Sequence, residues 1–126
     1  LACAVARATL GIFAAEPWME RNRITAGYMA NAVAGLADHP HVAEIRQTGM
    51  ILAIETVKDR NHRQGWPPSE RRGLRAHRHA LARGALLRPL GSVLYFMPPY
   101  VITAEELAFL GEVAAECVDV MAADLA

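Results

Sequence analysis

An α+β fold, a small and largely antiparallel sheet covered by helices on one face, follows from three features of the sequence. Alanine-rich and amphipathic stretches open, divide and close the chain. Short apolar runs of strand length lie between them, and turn residues separate neighbouring runs closely enough for hairpins. The order read is helix, helix, strand, strand, helix, strand, strand, helix.

Residues 1–15 are alanine-rich, with Ala2, Val5, Thr9, Ile12 and Phe13 on one side. Small residues of this kind let a helix pack closely against a neighbour. Pro17 interrupts that helix and suits the first turn of the next. The second helix is predicted from Pro17 to Leu36, with Trp18, Ile24, Tyr28, Asn31, Ala32, Gly35 and Leu36 on its inner face. Asp38-His-Pro-His41 breaks it.

Val42–Gln47 alternates and reads as a strand. Thr48–Gly49 supplies a turn, and the nearly continuous apolar run Met50–Val57 reads as a central strand. Lys58–Pro68 is polar, with Gly and two prolines, and reads as a surface loop. Ser69–Gly84 is a helix with Gly84 as its stop. Ala85–Arg88 and Ser92–Met97 are read as two short strands around Pro89-Leu-Gly91. Thr103-Ala-Glu-Glu106 has the spacing of a capping box. It opens a last helix over 104–123, with Leu107, Leu110, Val113, Ala114, Cys117 and Met121 as its apolar stripe.

The bulk numbers set limits. A length of 126 residues, 53% of them hydrophobic, is enough for a core. Thirteen basic residues balance thirteen acidic ones, which gives no support to nucleic-acid or membrane-surface binding. No apolar run approaches the ~20 residues that span a bilayer. Cys3 and Cys117, without a secretory signal, suggest reduced, buried thiols in a cytoplasmic protein rather than a disulfide. The chain opens on Leu1-Ala-Cys-Ala without a capping residue, so it reads as the C-terminal piece of a longer protein.

The most informative stretch is Gly84–Tyr100. It places a single arginine, Arg88, at the end of an apolar run, followed seven residues later by Tyr95. A guanidinium among apolar neighbours calls for an anionic partner, and its planar fork matches a carboxylate. Arg88 and Tyr95 are therefore the candidate binding residues for a small carboxylate-bearing molecule. Pairing of Arg88 with a protein carboxylate, and a packing role for Tyr95, remain the competing readings.

Other candidates carry less. Lys58 is the only lysine and stands beside Asp59 and Arg60, without the desolvated pocket that a Schiff-base former needs. His77 and His79 are two apart on a helix, and His39 and His41 flank a proline; neither pair has the i, i+4 spacing of a helical zinc motif. Arg71, Arg72, Arg75 and Arg78 read as a solvated helix face. No metal site is expected.

Leu1-Ala-Cys-Ala-Val-Ala6, Thr48-Gly-Met-Ile-Leu-Ala-Ile-Glu55 and above all Leu87-Arg-Pro-Leu-Gly-Ser-Val-Leu-Tyr-Phe-Met-Pro-Pro-Tyr-Val-Ile-Thr103 resemble the C-terminal region of the adenosylmethionine–8-amino-7-oxononanoate aminotransferase family. These are class III, fold type I enzymes of biotin biosynthesis that use pyridoxal phosphate. The resemblance implies that residues 1–36 link from a large domain outside this sequence and that 37–126 form the small C-terminal α+β domain. It implies that the large domain holds the cofactor, its lysine and most of the phosphate cradle, and that the parent is a homodimer. By position, Arg88 matches the arginine that binds the substrate carboxylate, and Tyr95 a tyrosine at the same end of the pocket. No catalytic residue is expected in this piece, which should not turn over alone. Two other readings stay open: a class III enzyme acting on ω-amino acids or polyamines, and a non-catalytic α+β module that binds a ligand or partner.

Overall fold

The computed structural model describes residues 1–124. Its elements are α1 (Ala2–Ala15), α2 (Trp18–Ala32), β1 (Val42–Thr48), β2 (Ile51–Thr56), α3 (Arg72–Ala82), β3 (Val93–Phe96) and α4 (Ala104–Ala122). The strands form one antiparallel sheet in the order β1-β2-β3.

Side chains alternate across the sheet. Leu52, Ile54 and Thr56 of β2 and Leu94 and Phe96 of β3 point into the core, where Val113, Ala114, Cys117 and Met121 of α4 meet them. The residues between them face the other way: Arg46 of β1 donates to Glu44 at 3.0 Å and to Glu55 of β2 at 2.6 Å on the uncovered face. This is the one-sided alternation of an antiparallel sheet with a single covered face. Thr56 is fully buried, and its hydroxyl is satisfied by donating to the Ser92 carbonyl at 2.5 Å, which ties the end of β2 to the start of β3.

The helix ends follow the sequence chemistry. Thr103 Oγ1 accepts from the Glu106 N–H at 3.2 Å, and the Glu106 carboxylate accepts from the Thr103 N–H at 2.8 Å. This capping box satisfies two donors at the α4 N-terminus, an arrangement worth about 1 kcal/mol. At the end of α3, Gly84 has φ +89°. Its N–H donates to the Leu81 carbonyl at 3.0 Å while the Ala85 N–H reaches back to Ala80 at 2.8 Å. These are the two bonds of a Schellman motif, and the left-handed position explains why glycine stands there. α2 and α4 pack closely because Gly111 lacks a side chain: a Cβ there would lie 2.3 Å from the Ala32 carbonyl oxygen.

Several expectations need correction. Residues 85–88 do not form a strand. The bridge that follows them joins Leu90 to Val93, closing a tight turn over Gly91 and Ser92. Pro89 has no N–H to give, and the Leu87 carbonyl is taken by a side chain of α3. The buried residues of α2 are Asn22 and Met29, with Val33 and Leu36 buried just beyond its end, whereas Ile24 and Tyr28 of the expected inner face are half exposed. Of the expected face, Ala32 packs against Gly111 of α4 and Leu36 is buried. Among the described residues none of α1 is buried, and Phe13 at the end of its stripe makes an edge-on contact with Tyr100, 6.2 Å between centroids. Cys3 is consequently exposed, while Cys117 is buried and both are free thiols.

Candidate substrate-binding groove

Arg88 and Tyr95 meet at one concavity. It is an open groove of ≈ 440 Å³ between Leu86–Arg88 on one side and Tyr95–Pro99 on the other, with Ile102 and Leu110 at its floor and end. That volume lies within the ordinary range for small-molecule sites. Tyr95 and Phe96 both line it at the end of β3, where Leu94 and Phe96 are buried in the core and Tyr95, across from Ala53 of β2, is half-buried. Pro98 and Pro99 end the strand by withholding backbone donors and turn the chain around the groove.

Arg88 is exposed rather than buried, so its charge does not by itself demand a protein partner; among the described residues it has no hydrogen bond and no ion pair, and no acidic side chain lines the groove. The competing idea of an intramolecular carboxylate partner therefore finds none. The guanidinium is the only charged group on a wall otherwise made of Leu86, Leu87, Met97, prolines and Ile102. An anion entering the groove meets one fork of five N–H donors and apolar surface for whatever it is attached to. Leu87 lines the groove, whereas the nearby Leu90 and Val93 do not.

The arginines of α3 are more than a solvated face. Arg72 is nearly buried, lies 5.0 Å over the Trp66 ring and is held by Glu70 at 2.5 Å. Its guanidinium donates to the Met121 and Ala123 carbonyls, closing the C-terminus of α4, where exposed carbonyls favour a cation. Arg75 donates weakly to the same Ala123 carbonyl.

The histidines are each occupied locally. His79 Nε2 lies 2.7 Å from Glu116, which also accepts from Arg83 at 2.9 Å. Those two partners hold the Glu116 carboxyl below the usual carboxylate range. His39 pairs with Asp119 and His62 with Asp59. His41 bonds to the Val57 carbonyl. His77 alone points toward the groove segment, with Nδ1 2.6 Å from the Leu87 carbonyl oxygen. Among the described residues no group of three or more His, Cys, Asp or Glu is placed to hold a metal ion. The Cys117 thiol is pushed up to about 11 by burial, then by the nearby Glu116 charge, and is an inert core group. Lys58 is exposed at the end of β2 in a polar loop.

Sequence and structure comparisons place this geometry among known proteins. The family described as aminotransferase class-III matches residues 1–118. An adenosylmethionine-8-amino-7-oxononanoate aminotransferase from Nitratidesulfovibrio vulgaris is 44% identical over 110 residues, covering 87% of this chain and 20% of that protein. A putrescine–pyruvate aminotransferase from Pseudomonas aeruginosa is 32% identical over 124 residues, covering 98% of this chain and 27% of that protein. The crystal structure of adenosylmethionine-8-amino-7-oxononanoate aminotransferase from Methanocaldococcus jannaschii superposes with a TM-score of 0.88 at 31% identity, over 98% of this chain and 28% of that one. The chain thus spans about a quarter of the length of the relatives it matches.

Proposed function

The chain belongs to the class-III aminotransferases, and from that premise we propose that it is the carboxylate-gripping small domain of an enzyme that moves an amino group from S-adenosylmethionine to 8-amino-7-oxononanoate, giving 7,8-diaminononanoate for biotin synthesis. The observation that carries the proposal is an exposed Arg88, without an ionic partner among the described residues, beside an apolar groove. Arg88 holds the carboxylate of the keto substrate, and Tyr95 lines the same end. The aliphatic stem lies along Leu87, Met97 and Ile102. Fixing the tail in this way presents the distant ketone to the reacting centre, a contribution of position rather than of bond-making.

The residues present here do not fit a cofactor site. Lys58 is exposed in polar surroundings, whereas a Schiff-base lysine needs desolvation or a cationic neighbour. We therefore assign pyridoxal phosphate, its lysine and its phosphate cradle to the rest of the enzyme, and assign no catalytic residue to this domain. In the same reading residues 1–36 connect to that remainder, residues 37–126 form the small domain, and the enzyme is a cytoplasmic homodimer. The apolar stripe of α1, none of it buried among the described residues, supports such a connection. Among the described residues no helix is long and apolar enough to cross a membrane.

The rival within the family is a diamine or ω-amino acid donor, as the name of the Pseudomonas relative illustrates. The higher identity to the adenosylmethionine enzyme supports the first reading. Full-length enzyme assayed with 8-amino-7-oxononanoate should accept its amino group from S-adenosylmethionine at least tenfold more efficiently than from putrescine. Preference for putrescine would replace this substrate assignment with the rival.

A further inference from the structure

Arg88 sits on a segment without ladder hydrogen bonds, yet a side chain that grips a ligand must be held to within a fraction of an ångström. Helix α3 holds it at two points. Upstream, His77 Nδ1 lies 2.6 Å from the Leu87 carbonyl oxygen. A carbonyl only accepts, so Nδ1 carries the hydrogen and donates. That carbonyl belongs to the same planar peptide unit as the Arg88 N–H, so the bond fixes the plane from which Arg88 departs. Downstream, Gly73, one helical turn before His77, allows the chain to press against α3: a Cβ there would lie 2.4 Å from the Gly91 carbonyl oxygen and 3.2 Å from Pro89 Cβ. His77, Leu86 and Arg88 also share a second small concavity beside the groove. Unlike His39, His62 and His79, His77 faces no carboxylate among the described residues. Its one polar contact there is the carbonyl that leads into Arg88.

We propose that His77 is a positioning residue for substrate binding, acting through the Leu87 carbonyl to aim the Arg88 guanidinium along the groove. This rests on the assignment of Arg88 as the carboxylate grip. The test uses full-length, cofactor-loaded enzyme carrying His77→Ala, His77→Asn or His77→Gln, assayed with 8-amino-7-oxononanoate and with its methyl ester. Asparagine places its amide nitrogen near the position of Nδ1, and glutamine near that of Nε2. His77→Ala should raise KM for the acid about tenfold and leave KM for the ester and kcat at saturation within about twofold. His77→Asn should recover most of the loss, and His77→Gln should not. Equal effects on acid and ester, no effect of alanine, or equal behaviour of Asn and Gln would overturn the inference. If alanine fails to fold, the contrast between Asn and Gln still decides. Arg88→Ala separates the two claims. If it raises KM for the acid while the His77 variants do not, only the positioning role fails. If Arg88→Ala leaves the acid unaffected, the carboxylate assignment beneath it fails too.

Discussion

Replacing Arg88 with alanine in the full-length enzyme should lower kcat/KM for 8-amino-7-oxononanoate by about 10- to 100-fold, most of it in KM. Hydrogen bonds to charged groups contribute about 1.5–3 kcal/mol, and each 1.4 kcal/mol is about a factor of ten. The effect falls on KM because the carboxylate is held equally in the ground and transition states, far from the reacting ketone. Arg88→Lys should recover part of the loss, since it restores the charge but not the planar fork. No neighbouring cation among the lining residues of the groove can substitute for Arg88. Steady-state kinetics of the three enzymes against the keto substrate check this. Unchanged kinetics in Arg88→Ala would remove Arg88 from the site.

The second large effect is on stability. Leu94 is fully buried at the centre of β3, pairs across the sheet with Ile54, and faces the helices. Leu94→Ala should cost about 2–5 kcal/mol, the lost transfer energy plus a cavity that the sheet cannot collapse into. Most domains have only about 5–15 kcal/mol in total. Urea unfolding should show a lower midpoint with little change in slope. The control is Leu90→Ala: Leu90 is 76% exposed, so that change should stay within about 0.5 kcal/mol. A Leu94→Ala cost below about 1 kcal/mol would contradict the packing described.

Much of this was legible in the sequence because local chemistry and tertiary packing agree. Thr103 and Glu106 specify the start of α4 through a bond each makes to the other's backbone. Gly84 specifies the end of α3 through a backbone angle that other residues resist. That Arg88 and Tyr95 line one concavity follows from the turn between their segments. What escaped depends on contacts distant in sequence. Residues 85–88 have strand-like composition, but His77 occupies the Leu87 carbonyl and Pro89 lacks a donor. Arg72 looks like one of four surface arginines, and only the fold brings the carbonyls at the end of α4 to it. Which residues of α2 turn inward depends on the close approach of Ala32 to Gly111, some eighty residues away. His77 was legible only as a histidine without metal-binding spacing. The Gly73-x-x-x-His77 pattern places both residues on one side of α3, a signal that acquires meaning once Leu87 and Gly91 are seen against that side.

A comparison of the acid with its methyl ester isolates the charge–charge contact from every other effect of mutation. Wild-type full-length enzyme should favour 8-amino-7-oxononanoate over the ester by about 10- to 100-fold in kcat/KM, and Arg88→Ala should treat the two within about threefold of each other. Equal discrimination in both enzymes would mean that the guanidinium at position 88 does not read the carboxylate, and the role given to this domain would be wrong.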